Sequence, residues 1–477
     1  MNRFTAVAAC LLAMGWLSGT SLHAFSAEVE NLWPWTVRLE GDDAGRPGTL
    51  TAFGPLWETR EGTDYDVRTL RPFYTEIERG GYGGTGRHIL YPFFNHYEYP
   101  SNSHWHVLNL VRGSKGDYAT SFEAWPFVFW RDRPGDEADT LALWPLGGRL
   151  SDFFGRKHVD FALWPLYIRT EGDGEVRYST PWPFIQTLTG EASGFALWPL
   201  GGRFHRPGEY DRRFAFWPIF HDHREKLGAE VPYRSLGVLP FYLRQTGDGL
   251  RSETYLWPFF GYTKEWEPRP SYHERRYFWP FLVQGRGEEA HTNRWMPFYT
   301  YERTREREKW WYLWPIFKHQ EVDLEFLTRK QTQVLYFLFR DRKQVQGDRI
   351  LSHRQTMWPF YSYWTDGAGR TQMQALDPVT AFFPSNPEVR ETWTPLFALY
   401  RYDRRGADKR LSILWNLIVH EDGGNGKERL TIGPLYRHEE RADARSWSVL
   451  RGLVAREVEN GQSRWSFLWQ GAGETSP

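Results

Sequence analysis

The chain has 477 residues, with 59 Lys and Arg against 59 Asp and Glu, so its formal net charge is zero. That balance excludes a global field aimed at nucleic acid or at an anionic surface. Aromatic residues make up 18% and include 26 Trp, far above ordinary usage; the length would suit several ordinary domains, unless a repeat array extends one core by stacking.

The N-terminus has the pattern of a secretory signal peptide. Arg3 supplies the positive charge, Ala6 to Leu17 the apolar stretch, and Ala24-Phe25-Ser26 a small-x-small cleavage site. Residues 1–26 are therefore expected to be removed on export; a first core element is the alternative reading. The single cysteine, Cys10, lies inside this segment. Val7-Ala8-Ala9-Cys10 loosely resembles a lipobox, but the apolar run before it is too short for lipidation to be expected. The mature chain then lacks cysteine, which excludes disulfides, thiol catalysis and thiolate metal sites. Farther on, no apolar run approaches the roughly 20 residues of a membrane helix.

From Leu32 onward a short aromatic motif recurs. Trp-Pro pairs begin at Trp33, Trp125, Trp144, Trp164, Trp182, Trp198, Trp217, Trp257, Trp279, Trp314 and Trp358. The octapeptide 142–149, ALWPLGGR, returns letter for letter at 196–203. Degenerate copies keep the frame, as at Gly54-Pro55, Tyr91-Pro92, Leu239-Pro240, Met296-Pro297 and Trp415-Asn416. Successive centres fall about 17 to 22 residues apart, which gives roughly 22 or 23 units over residues 27–477. Between them stand turn signals such as Gly172-Asp173-Gly174, Gly247-Asp248-Gly249 and Asn460-Gly461. The flanks are rich in strand-forming residues, and helical periodicity is absent. Each unit thus reads as one strand plus one turn, in a single repeat domain.

Parity assigns faces. In 212–223, Arg213, Ala215, Trp217, Ile219 and His221 lie on one face, with Phe214, Phe216, Pro218, Phe220 and Asp222 on the other. Both are apolar at the centre, so mid-strand is expected to be covered on both sides, with the eleven Trp residues as structural core. Proline lacks an N–H and argues against a central strand, so its recurrence suggests a bulge in each strand. One interval breaks the rhythm. Pro359 to Pro395 is double length, hiding a degenerate strand or a long loop, and 41–48 reads as a loop.

The fold class expected is all-β, a large antiparallel up-and-down meander of about 22–23 strands closed as a barrel. A soluble β-solenoid, a rolled sheet and a propeller are the alternatives. The propeller fits least, since it needs one signature per four-strand blade. The barrel fits the spacing and removes sheet edges. Against it stand the mid-membrane carbonyls that proline would orphan and a Trp-bearing face that is not polar. From Trp33 to Trp469 the repeat resembles uncharacterised exported Trp-Pro (WPL/WPF) repeat proteins of Gram-negative bacteria, a resemblance that implies export and brings no activity with it.

Candidate chemistry is sparse. His104 with His106, and His221 with His223, put paired imidazoles on one strand face, but no third ligand is identifiable, and polar strand ends account for them. His438-Glu439-Glu440 reads the same way. Carboxylates sit in turns beside arginines, and neither a phosphate loop nor a nucleophile elbow is present. Gly80 to Gly84 is a glycine-rich turn without the lysine of a phosphate cradle. No catalytic residue, metal or cofactor is expected. The reading is an exported, non-enzymatic outer-membrane barrel protein, with a pore or conduit for apolar or aromatic small molecules as the expected role. A periplasmic or surface scaffold, including one binding carbohydrate on exposed Trp, is the alternative. The ligand and the oligomeric state are not readable.

Overall fold

The structure is a computed structural model and describes residues 30–39, 47–62, 65–80, 83–133, 135, 139–384, 386–424 and 426–468. The expected leader, Cys10, Trp469 and most of the expected 41–48 loop lie outside the described residues. Among the described residues forty-five strands, numbered in chain order from β1 (Glu30–Leu32) to β45 (Gln462–Phe467), form one antiparallel meander in which each pairs with its predecessor. The all-β meander is as expected, but the strand number is doubled. Each repeat supplies a hairpin, so the unit count matches the hairpins and not the strands.

The repeat around Trp164 shows why. Strand β15 (Arg156–Ala162) does not continue through Trp164. The chain reverses over residues 163–166, the Leu166 N–H donates to the Leu163 carbonyl at 2.9 Å, and Ala162 pairs directly with Tyr167 of β16 (Tyr167–Gly172). An antiparallel meander returns every second reversal to the same edge. All the Trp-Pro turns therefore line one edge, and the Gly/Asp-rich turns line the other. The bulge expected at mid-strand is corrected by this placement: the proline sits in a turn and removes no ladder bond. All eleven Trp–Pro peptide bonds are cis.

The prolyl carbonyls have partners. The Trp164 N–H donates to the Pro145 carbonyl at 2.8 Å, Trp217 to Pro199 at 2.7 Å, Trp257 to Pro240 at 2.6 Å and Trp314 to Pro297 at 2.6 Å. In the same turns the preceding residues Leu163, Phe216, Leu256 and Leu313 hold φ between 44° and 49°. That region costs a residue with a Cβ about 1–2 kcal/mol. It is held because each of their N–H groups also bonds to the previous turn, as Leu163 does to the Leu146 carbonyl at 2.8 Å. These four-residue turns are thus laced by two backbone bonds to the three-residue turns that precede them, such as 144–146 before 163–166, and the hydrogen-bond network continues along the edge.

Polarity runs along the strands. β21 (Tyr210–Ala215) reads YDRRFA into its turn, and β22 (Phe220–Glu225) reads FHDHRE out of it. The half next to the Trp-Pro edge is apolar, and the other half is charged and cross-linked by pairs such as Arg149–Asp160 at 2.6 Å and Arg234–Asp222 at 2.8 Å. Buried apolar residues form small clusters, for example Phe129, Ala142, Leu150 and Phe161.

The two ends of the meander meet, although the sheet is not closed by hydrogen bonds between strands: among the described residues β1 pairs only with β2 (Thr36–Leu39). Val37 and Leu39 bury against Val419 of β40 (Ile418–Gly423), the Asn31 side-chain amide donates to the Asn416 carbonyl at 2.7 Å, and Arg451 pairs with Glu30 at 2.6 Å. The barrel of the sequence reading is therefore replaced by an open sheet whose ends are joined by side chains.

Of the two readings of the double-length interval, the long loop is the one found. β36 (Tyr361–Thr365) and β37 (Arg370–Ala375) are the strand pair that every repeat has, and residues 376–399 replace the next rim turn. They carry a short helix, α1 (Pro387–Thr392), capped by the Asn386 side chain accepting from the Val389 N–H at 2.9 Å. This insertion docks on the N-terminal strands, with Thr392 bonded to Thr75 at 3.1 Å and the Trp393 indole N–H to the Tyr91 carbonyl at 2.8 Å.

Candidate functional site: the Trp-Pro rim

The rim is assembled from one position repeated. Antiparallel pairing spaces neighbouring turns two strands apart, roughly 10 Å, which large rings can bridge. Ring centroids of Phe127 and Trp144 lie 6.0 Å apart, Trp144 and Trp164 5.6 Å, and Trp164 and Trp182 6.1 Å. Phe184 and Trp198 continue the pattern at 5.8 Å. These tilted contacts suit aromatic pairs and contribute about 0.5–1.5 kcal/mol each.

None of the eleven Trp residues is buried. Trp33, Trp144, Trp198 and Trp358 are half-buried, while Trp125, Trp164, Trp182, Trp217, Trp257, Trp279 and Trp314 are exposed, Trp125 by 59%. They pack along the edge and not inside a two-sided core. The residue after each of these prolines is exposed too. Phe73, Phe127, Leu146, Leu200, Phe241 and Phe298 all project, Phe298 by 69%. Sequence reasoning passed over this position. Its signal was the apolar residue kept where a turn ordinarily carries a polar one. Single exposed leucines need no explanation, but a continuous line of them does.

Charge reaches this edge at Arg71-Pro72-Phe73. The Arg71 side chain is wholly buried and binds the Glu58 carboxylate at 2.8 Å, the Pro55 carbonyl at 3.1 Å and the Glu391 carbonyl at 2.8 Å. Burial alone would raise Glu58, but the Arg60 and Arg71 guanidinia outweigh it and hold the carboxyl well below the carboxylate range. The insertion covers this stretch, and its own Phe382 joins the rim through ring contacts to Phe337 at 5.2 Å and Trp358 at 6.2 Å.

The histidine pairs sit away from the rim chemistry. His221 and His223 are neighbours with ring centroids 5.0 Å apart. His104 stacks on Tyr97 at 4.9 Å, and His106 meets the Asn95 side chain at 3.1 Å. Burial lowers all four imidazoles, and for His106 and His223 the neighbouring histidine lowers them further. Among the described residues no group of three or more His, Cys, Asp or Glu side chains gathers as a metal would require. His438 and Glu439 lie within the arginine-rich charged half, where Glu439 pairs with Arg437 at 2.9 Å. Comparison of the chain with protein-family models and with curated proteins finds no match for it.

Proposed function

We propose that the chain is an exported, non-enzymatic protein that lies on a membrane, its Trp-Pro rim sunk into one leaflet and its charged edge in water. The carrying observation is the line of exposed apolar side chains along a single edge. Depth favours this over the transmembrane conduit of the sequence reading. Around Trp217 the apolar run extends from Phe214 to Phe220, between Arg213 and His221. Folded back on itself at the turn, that run reaches only two residues into the strands, roughly 10 Å in all at strand rise. An outer-membrane barrel presents an apolar band about 25 Å tall, whereas interfacial elements bury about 5–10 Å. Aromatic rings at the edge suit the headgroup boundary, where one side of a ring is apolar and the other wet. Outer membrane is the compartment that fits the export pattern of residues 1–26, with periplasm or cell surface as alternatives.

Vesicle co-sedimentation of the mature chain tests the reading. Phe127→Ser, Leu146→Ser and Leu166→Ser together remove three projecting side chains. Full burial of each would contribute roughly 1.5–3 kcal/mol, and about half of each is still exposed in the fold. The triple variant should therefore bind vesicles at least about 40-fold more weakly, with its melting temperature little changed. Unchanged partitioning would remove the membrane from the reading.

A further inference from the structure

We infer that the cavity between the insertion and the strands on either side of it is a binding site for a small phosphorylated solute or headgroup carrying two or more negative charges. It is distinct from the rim, and it stands whether or not the rim meets lipid.

The cavity has a volume of about 420 Å³, within the usual size of a small-molecule site. Its walls are N-terminal strand residues around Arg60, one face of the strands from β34 (Phe339–Gln346) to β39 (Asp408–Ile413), and the insertion. Among the described residues eleven arginines line it against four carboxylates, Glu58, Asp377, Glu391 and Asp403, an excess of seven positive charges. The whole chain is neutral, so this is a strong local concentration of one sign.

The carboxylates are unevenly shared. Arg60 is bound by Glu58 at 2.5 Å and Glu391 at 3.1 Å, and Arg401 by Asp403 at 2.8 Å. Arg340, Arg342 and Arg354 form a second group with no ion pair among the described residues. Register explains their convergence: Arg342 lies directly opposite Arg354 of β35 (Arg349–Met357), and Arg340, two residues along, shares the face. Like charges directly opposite one another destabilise a sheet. Arg340 and Arg354 donate only to the carbonyls of Tyr336 at 3.1 Å and Pro384 at 3.2 Å. The Nε atoms of Arg340 and Arg342 are buried without a hydrogen-bond partner among the described residues. So is the hydroxyl of Thr356, a residue 8% exposed that lies opposite Arg340 and lines the same cavity. Burial lowers Arg340 and Arg354, and the nearby Arg342 lowers both further. This is an arrangement that a multiply charged oxyanion relieves. Guanidinium forks match phosphate oxygens in pairs, and a hydroxyl completes the set.

Calorimetric titration of the full mature chain with inorganic pyrophosphate tests the inference, with acetate as the singly charged control. Pyrophosphate should bind at least tenfold more tightly than acetate and should raise the melting temperature. Arg342→Gln with Arg354→Gln should weaken it at least tenfold, while the ligand-free melting temperature holds or rises because the facing charges are gone. Cardiolipin vesicles, whose headgroup carries two phosphates, then separate the sources. If the double variant loses vesicle binding as well, with the rim residues untouched, the phosphate belongs to a lipid headgroup; if it loses only pyrophosphate, the ligand is a free solute. Equal affinity for acetate, or undiminished pyrophosphate binding in a double variant that melts like the parent, would overturn the proposal.

Discussion

The two edges of the sheet perform the same task with opposite chemistry. At the polar edge, reversals such as Asp173-Gly174 and Asn460-Gly461 rely on positive φ, at 74° for Gly174 and 82° for Gly461. At the rim, leucine and phenylalanine occupy the same backbone region, with Leu163 at φ 44° and Phe216 at 48°. A residue with a Cβ is tolerated there because the neighbouring turn supplies hydrogen bonds and ring contacts. Polar turns also bond to a neighbour, as the Asn460 N–H does to the Asp443 carbonyl at 3.2 Å, but their Gly, Asn and Asp accept positive φ unaided, whereas the leucine and phenylalanine of the rim turns depend on their neighbours. An edge built in the second way keeps its side chains in line, which independent turns do not.

The largest effect is expected where charge meets the rim. Glu58→Gln leaves Arg71 buried without its carboxylate, and removal of one partner of a buried pair costs about 3–5 kcal/mol. Denaturant unfolding should show that loss together with release of the insertion, read as faster proteolysis near α1. A cost below about 1 kcal/mol would mean that Arg71 is held by the carbonyls of Pro55 and Glu391 alone. The same carboxylate fixes the acid response. Its folded pKa is depressed, so its contribution is fully present above the unfolded carboxyl value, near pH 4, and is lost as pH falls through the lower folded value. The parent should therefore lose more stability than Glu58→Gln between about pH 4 and pH 2, as measured by melting temperature.

Next comes the aromatic line. Truncating a buried Trp to Ala costs about 3–5 kcal/mol, but Trp164 is partly solvated, so Trp164→Ala should cost about 2 kcal/mol. Neighbour-determined turns predict that the damage stays local. Hydrogen exchange should quicken between about residues 140 and 185 and remain at the parent rate beyond. Uniform acceleration along the chain would make the sheet one cooperative body and not an array of neighbours.

The smallest effect belongs to the polar edge. Gly155, at φ 68°, has open space around any added Cβ. Gly155→Ala should therefore cost only the left-handed backbone penalty, about 1 kcal/mol, with no change in exchange at the adjacent rim turns. A larger loss, or spread to the Trp144 and Trp164 turns, would erase the distinction between the edges.

Much of this fold was legible. The β class, the meander, the number of repeats and the Gly/Asp turns follow from spacing and residue type, because those signals are local. The position of Trp-Pro was not, and the reason is specific. The segment around Trp217 is apolar on both parities, which fits a strand covered on two sides and also a turn at an apolar edge. Proline favoured the turn, but only the pairing of Ala215 with Phe220 decides it. The arginine cavity lies further from view. The i, i+2 spacing of Arg340 and Arg342 puts them on one face only if that segment is a strand, and nothing local connects Arg60 to Glu391, 331 positions away.

The placement of every rim turn on one edge also constrains how such a chain changes length. A hairpin leaves the polar edge, reverses at the rim and returns to where it began. Gaining or losing a whole hairpin therefore preserves the direction of every later strand. A single extra strand would swap the two edges for everything downstream and bury charge where the aromatic line should run. The octapeptides at 142–149 and 196–203, 54 positions apart, occupy the same phase three hairpins apart, as duplication in whole hairpins requires. A change of length that keeps both edges intact therefore comes in pairs of strands, and the perimeter can lengthen without a new fold.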